Sequence, residues 1–89
     1  MEFNDLIWDE DTKKNFDQMI EKVPGPMKGF ASGKVLGVIA TAVEEENLDL
    51  VGEKELVDGF FKATPFGFHG PMKGDFESLG IDYVQYGHS

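Results

Sequence analysis

Residues 26–46 read PMKGFASGKVLGVIATAVEEE, and the fold class turns on this stretch. Pro26 carries a φ already set for a helix and lacks only an N–H that a first turn leaves unsatisfied anyway, and no further proline follows until Pro65. A helix over 26–46 is about 30 Å long at 1.5 Å per residue. On its wheel, Met27, Ala31, Val35, Val38 and Ala42 fill one side, and Leu36, Ile39 and Val43 the neighbouring one. Apolar surface of that width has to be covered from more than one direction. The spacing therefore predicts an all-α domain with this helix at its centre.

The same helix carries Gly29, Gly33 and Gly37 at four-residue steps, with Gly25 one step before them. A glycine inside a helix costs about 1 kcal/mol relative to alanine, so a line of three calls for a compensating close approach to the backbone. The approaching group is another helix of the domain, a ring from the C-terminal part, or a bound ligand or partner helix. Gly25-Pro26-Met27-Lys28-Gly29 recurs letter for letter as Gly70-Pro71-Met72-Lys73-Gly74, followed within two positions by Phe30 and Phe76. Glycine then proline opens helices, so the repeat reads as two helix starts. Each copy also sets a lysine, Lys28 or Lys73, beside free N–H groups that could hold an anion.

Upstream, Asp9 is a candidate N-cap for a helix over 9–23, with Glu10 and Asp11 at its positive end and Pro24 closing it. Thr12, Phe16, Met19, Ile20 and Val23 form its apolar stripe, and Trp8 anchors it from outside. Downstream, Gly52 caps a helix over 53–63 that has Leu56, Val57, Phe60 and Phe61 on one stripe and ends at Thr64-Pro65. The expected core is Trp8, Phe16, Ile20, Phe30, Val35, Val38, Ile39, Leu56, Phe60 and Phe61. The architecture is a compact three-helix domain over 1–63 and an aromatic, glycine-rich tail over 64–89. In that tail 71–79 has room for one or two helical turns closed by Gly80, and 81–86 alternates like an extended segment. The tail either packs across the helices, over the glycine line, or pairs with another protein. It is expected to be more mobile than 9–63.

The chain has 89 residues, 17 of them acidic and 8 basic, and a net charge of −9. All of the basic residues are lysine. A phosphate backbone and an anionic membrane surface are repelled by this charge, and arginine forks for phosphate are missing, so no nucleic acid and no membrane is expected as partner. Basic proteins and neutral, largely apolar ligands fit better. Cysteine is absent, which excludes disulfides and thiol chemistry from this chain. Met1 is followed by Glu2, Asn4 and Asp5 rather than a basic, then apolar, leader, so the expected compartment is the cytoplasm. The longest apolar run, 29–43, falls short of the roughly 20 residues that cross a bilayer and is broken by Lys34.

No metal-hydrolase, phosphate-loop, dinucleotide or nucleophile-elbow motif is present. His69 and His88, with Asp75 and Asp82, are too thin a set of donors to predict a metal, and no cofactor is expected. Glu44, Glu45 and Glu46 are consecutive and point apart on a helix, so they cannot converge as a catalytic pair. No catalytic residue is assigned. The candidate binding residues are Gly25, Lys28, Gly29, Gly33, Gly37, Phe66, Phe68 and Lys73.

Trp8-Asp9-Glu10, Val23-Pro24, Lys28, Ala31 and Lys34, and the run Leu48 through Val57 together carry a resemblance. Over about residues 7–63 the chain resembles the small helical C-terminal domain found in light-independent protochlorophyllide reductase, and the short stand-alone proteins related to it. The resemblance implies an all-α domain with an accessory role near tetrapyrrole or electron-transfer chemistry. The glycine line, lysine in place of arginine on the second helix and the tail from Pro65 depart from that family. Two functions follow as expectations: a non-catalytic interaction module that docks on a larger redox or tetrapyrrole enzyme, or a small protein that itself binds a tetrapyrrole or similar flat ligand. In the second, the glycine line admits the macrocycle and Lys28 or Lys73 meets its carboxylates.

Overall fold

The computed structural model describes residues 5–89. Four α-helices follow one another: α1 (Glu10–Glu21), α2 (Lys28–Glu46), α3 (Glu53–Ala63) and α4 (His69–Ser78). Short 3₁₀ turns over Gly25–Met27, Phe66–Phe68 and Tyr83–Tyr86 link or follow them. No strand forms among the described residues; one parallel bridge joins Trp8 to Val51. The expected all-α architecture is present, with α2 as its longest element and with a fourth helix in the tail.

Local chemistry sets the helix boundaries. Asp9 caps α1 through its carboxylate, which accepts from the Thr12 N–H at 3.1 Å and from the Thr12 hydroxyl at 2.9 Å. A cap of this kind stabilises a helix by about 1 kcal/mol. At α3 the N-cap is Gly52, whose N–H donates to the Glu55 side chain at 2.9 Å, the half of a capping box that a glycine can make. The second helix stops because Asn47 turns left-handed, at φ 53°, a conformation that asparagine tolerates better than most residues.

The core unites all four helices. Phe16 and Met19 of α1, Val35, Ile39, Ala40 and Val43 of α2, and Leu56, Val57 and Phe60 of α3 are buried together with Leu6, Val51, Met72, Phe76 and Ile81. Trp8, Ile20 and Phe61 are partly buried against this cluster. Val38, expected in the core, is only half-buried and lies outside this cluster, and Phe30 is a correction as well: it is 65% exposed. For Phe30 the cause is register. Gly59 of α3 faces Val35 and Ile39, and Lys54 lies in the field of Glu46, so α2 and α3 run antiparallel. With Ala63 only four residues beyond Gly59, α3 ends before it reaches the first turn of α2, and Phe30 is left without cover.

Residues 64–89 contribute Met72, Phe76 and Ile81 to the core. Phe76 is fully buried, edge-on to Phe60 at 5.7 Å and stacked with Phe61 at 6.1 Å between centroids. Gly80 closes α4 at φ +74°, as its position suggested. The segment expected to be extended, 81–86, instead turns as a 3₁₀ helix, with the Asp82 side chain accepting from the Val84 N–H. It lies on α3, not over the glycine line of α2.

Candidate functional site

The identical pentapeptides take different places. In the first copy Gly25–Met27 is a 3₁₀ turn that leads into α2, and Met27 is 53% exposed. In the second, Gly70 and Pro71 lie inside the first turn of α4, and Met72 is buried. Both copies do stand at helix beginnings. Lys28 is paired with Glu21 at 3.1 Å, whereas Lys73 is half-buried on α4.

The antiparallel register places the start of α2 and the connection from α3 to α4 at one end of the fold. That end carries Met27, Phe30, Phe66 and Phe68, the last three 65%, 88% and 65% exposed. Of the candidate binding residues, Gly25, Lys28, Gly29, Phe66 and Phe68 belong to these segments. Folding has left three large rings outside while Phe16, Phe60 and Phe76 fill the interior.

Gly33 and Gly37 belong elsewhere. They line an open groove of about 590 Å³ between α2 and α3, with Lys34, Val38, Thr41, Ala42, Glu45 and Glu46 on the α2 side. Lys54, Glu55, Asp58, Gly59 and Lys62 line the other side. A methyl group placed on Gly33, or on Gly29 one turn before it, would have no neighbour within 4 Å. Internal packing therefore does not explain the glycine line at these two positions. The close helix contact is made instead by Gly59, where an added Cβ would lie 2.9 Å from Ile39 Cγ1. Lys28 and Lys73 do not line the groove, so the pairing of those lysines with the glycine walls is not the arrangement found. A smaller hollow of about 200 Å³ at the opposite end is bounded by Ile7, Val43, Leu48, Leu50 and Val51.

Polar contacts fasten the tail to α3. Asp58 accepts from Lys54 Nζ at 2.7 Å and from His88 Nε2 at 2.6 Å, and the His88 ring stacks on Phe61 at 4.0 Å. Burial pushes the Asp58 carboxyl up, but the hydrogen bonds from Lys54 and His88 outweigh it and hold the group below its ordinary range. The Tyr86 hydroxyl donates to Glu53 at 2.6 Å. This bond, then burial, raises the phenol to about 12. His69 Nε2 donates to the Thr64 carbonyl at 2.9 Å, so the two histidines serve different partners. Among the described residues no three His, Cys, Asp or Glu side chains converge in a metal-binding group.

A raised phenol pKa has a definite sign. The Tyr86–Glu53 contact stabilises the fold fully below pH 10, the unfolded value, and is lost as pH rises through about 12. Tyr86→Phe is expected to lower stability at neutral pH and to remove part of the alkaline loss. Parallel denaturation curves of parent and variant from pH 7 to 12 measure this; equal stability at neutral pH would refute the contact.

A family model described as a protein of unknown function, DUF2621, matches residues 1–89. The chain belongs to the DUF2621 family. No curated protein and no solved structure matches it. For this DUF2621 member the matches carry no link to the reductase domain that its motifs resemble. No helix among the described residues is long and apolar enough to cross a membrane. The sequence singled out Phe66, Phe68 and the glycines; it missed the Asp58–His88 and Glu53–Tyr86 contacts, whose partners lie 30 and 33 residues apart with no periodic signal between them.

Proposed function

We propose that this chain is a non-catalytic interaction module that docks on a larger protein through the aromatic end formed by Met27, Phe30, Phe66 and Phe68. The observation that carries the reading is the exposure of Phe66, 88%, with Phe30 and Phe68 also exposed, in a domain with an otherwise filled core. Exposed rings of this kind are the common anchors of protein interfaces, because a large area is buried at little cost in side-chain entropy. The net charge of −9 favours a partner with a basic rim around an apolar patch. The motif resemblance suggests a tetrapyrrole or electron-transfer enzyme as the class to try first.

The test is a photo-reactive side chain at position 68, cross-linked in the native cell, followed by binding measurements with the protein it captures. Phe66→Ala/Phe68→Ala is expected to fold normally and to bind that protein at least about thirtyfold more weakly, since anchor rings are commonly worth 2 kcal/mol or more. Undiminished binding by the double variant would remove the aromatic end from the interface. One observation favours the flat-ligand reading as a second: the α2–α3 groove, at about 590 Å³, falls in the range of small-molecule sites. Absorbance titration with protochlorophyllide or haem decides it, and a saturable micromolar shift that Gly33→Leu abolishes would favour the ligand over the protein partner.

A further inference from the structure

The α2–α3 groove is self-complementary. Its α2 wall consists of Gly33, Lys34, Gly37, Val38, Thr41, Ala42, Glu45 and Glu46. A two-fold axis crossing α2 between Ile39 and Ala40 sends each of these positions onto another of them, because 33 and 46, 34 and 45, 37 and 42, and 38 and 41 all sum to 79. Gly37 thus faces Ala42, Val38 faces Thr41, Lys34 faces Glu45, and Gly33 meets Glu46 at the end of the wall. Small side chains near the middle, Gly37 and Ala42, let two backbones approach, and the open space over Gly33 leaves room for the Glu46 that meets it.

We infer that α2 of a second copy of this chain lies antiparallel in this groove. Charge selects that occupant. Lys34 and Lys62 stand at one end of the groove and Glu45 and Glu46 at the other, and among the described residues none of the four makes a salt bridge within the chain. The acids in between are already engaged, Glu55 with the Gly52 N–H and Asp58 with Lys54 and His88. An antiparallel copy brings its glutamates to the two lysines and, by symmetry, its lysines to the two glutamates. A parallel copy would set like charges together. The dimer also gives a neighbour to Gly33, whose cost nothing inside one chain offsets. Lys34 Nζ also lies 5.4 Å from the centre of the Phe30 ring; the docking proposal is tested at Phe66 and Phe68, which the groove does not include, so the two fail separately.

Sedimentation equilibrium at micromolar to near-millimolar concentration tests it. The parent chain is expected to be a dimer that weakens with added salt. Lys34→Glu, which turns two attractions into two repulsions, should remain helical by circular dichroism and dissociate at least about tenfold more readily. Lys34→Glu/Glu45→Lys should restore the parent affinity. A parent chain that stays monomeric, a monomer that instead takes up haem or an unrelated helix in the groove, or a charge swap that fails to restore a dimer lost in Lys34→Glu would each overturn the proposal.

Discussion

Phe76→Ala is expected to destabilise the protein by about 3–5 kcal/mol, the range for removing a fully buried phenylalanine ring. The ring has no exposed surface, and its loss would strip one partner each from Phe60, Phe61 and Tyr83. A small domain holds only about 5–15 kcal/mol in all, so the variant should be at the edge of folding at ambient temperature. Thermal denaturation measures the effect. Since Phe76 belongs to the segment after Ala63, an unchanged melting temperature would show that residues 64–89 are a detachable appendage and not part of the core. Phe60→Ala, on the other side of the same contact, should behave alike.

Two glycine substitutions should have opposite outcomes. Gly59→Leu forces a branched side chain into a place where even a Cβ lies 2.9 Å from Ile39 Cγ1, and Ile39 is itself completely buried. Overpacking of this kind costs about 1–3 kcal/mol where neighbours can shift, and here the displaced neighbour has nowhere to go. The expected loss is about 3 kcal/mol or more, enough to leave much of the chain unfolded. Gly33→Ala meets nothing within 4 Å and should raise monomer stability by up to about 1 kcal/mol through helix propensity. Urea denaturation of dilute samples separates the two cases. Equal effects at positions 59 and 33 would contradict the assigned helix contact.

The elements with explicit end signals were legible in the sequence. α3 occupies the span that Gly52, Glu55 and Pro65 mark out, and Asp9 caps α1 as its position suggested. Local hydrogen bonds decide such boundaries, and local residues therefore announce them. α4 was only half visible, because His69-Gly70-Pro71 is a poor helix start by propensity and is held by the burial of Met72 and Phe76 one turn apart. The glycines misled for a related reason. Three in line are conspicuous, whereas Gly59, the one pressed against another helix, has no repeat to draw attention to it. Phe30 looked like core because a wheel shows which face a residue takes and not how far the neighbouring helix extends. Of the candidate site, Phe66 and Phe68 were legible as candidate binding residues but their exposure was not, since turn formers mark a loop and not which way its rings face. The groove between α2 and α3 was not legible either, since its far wall comes from residues whose nearness depends on the interhelical register.

The packing of rings in this fold also gives it two separate optical reporters. Trp8, the only tryptophan, sits 5.1 Å from Phe16, and the chain beside it is bridged to Val51, so its emission follows the seating of α1 against the segment that precedes α3. Tyr83 and Tyr86, the only tyrosines, are held by Glu77 and Glu53 on the side where the tail meets α3. Fluorescence excited at the indole and near-ultraviolet dichroism from the phenols therefore watch different joints of one molecule. Superimposable unfolding curves from the two signals would mean that the joints give way in a single transition, without any label having been added.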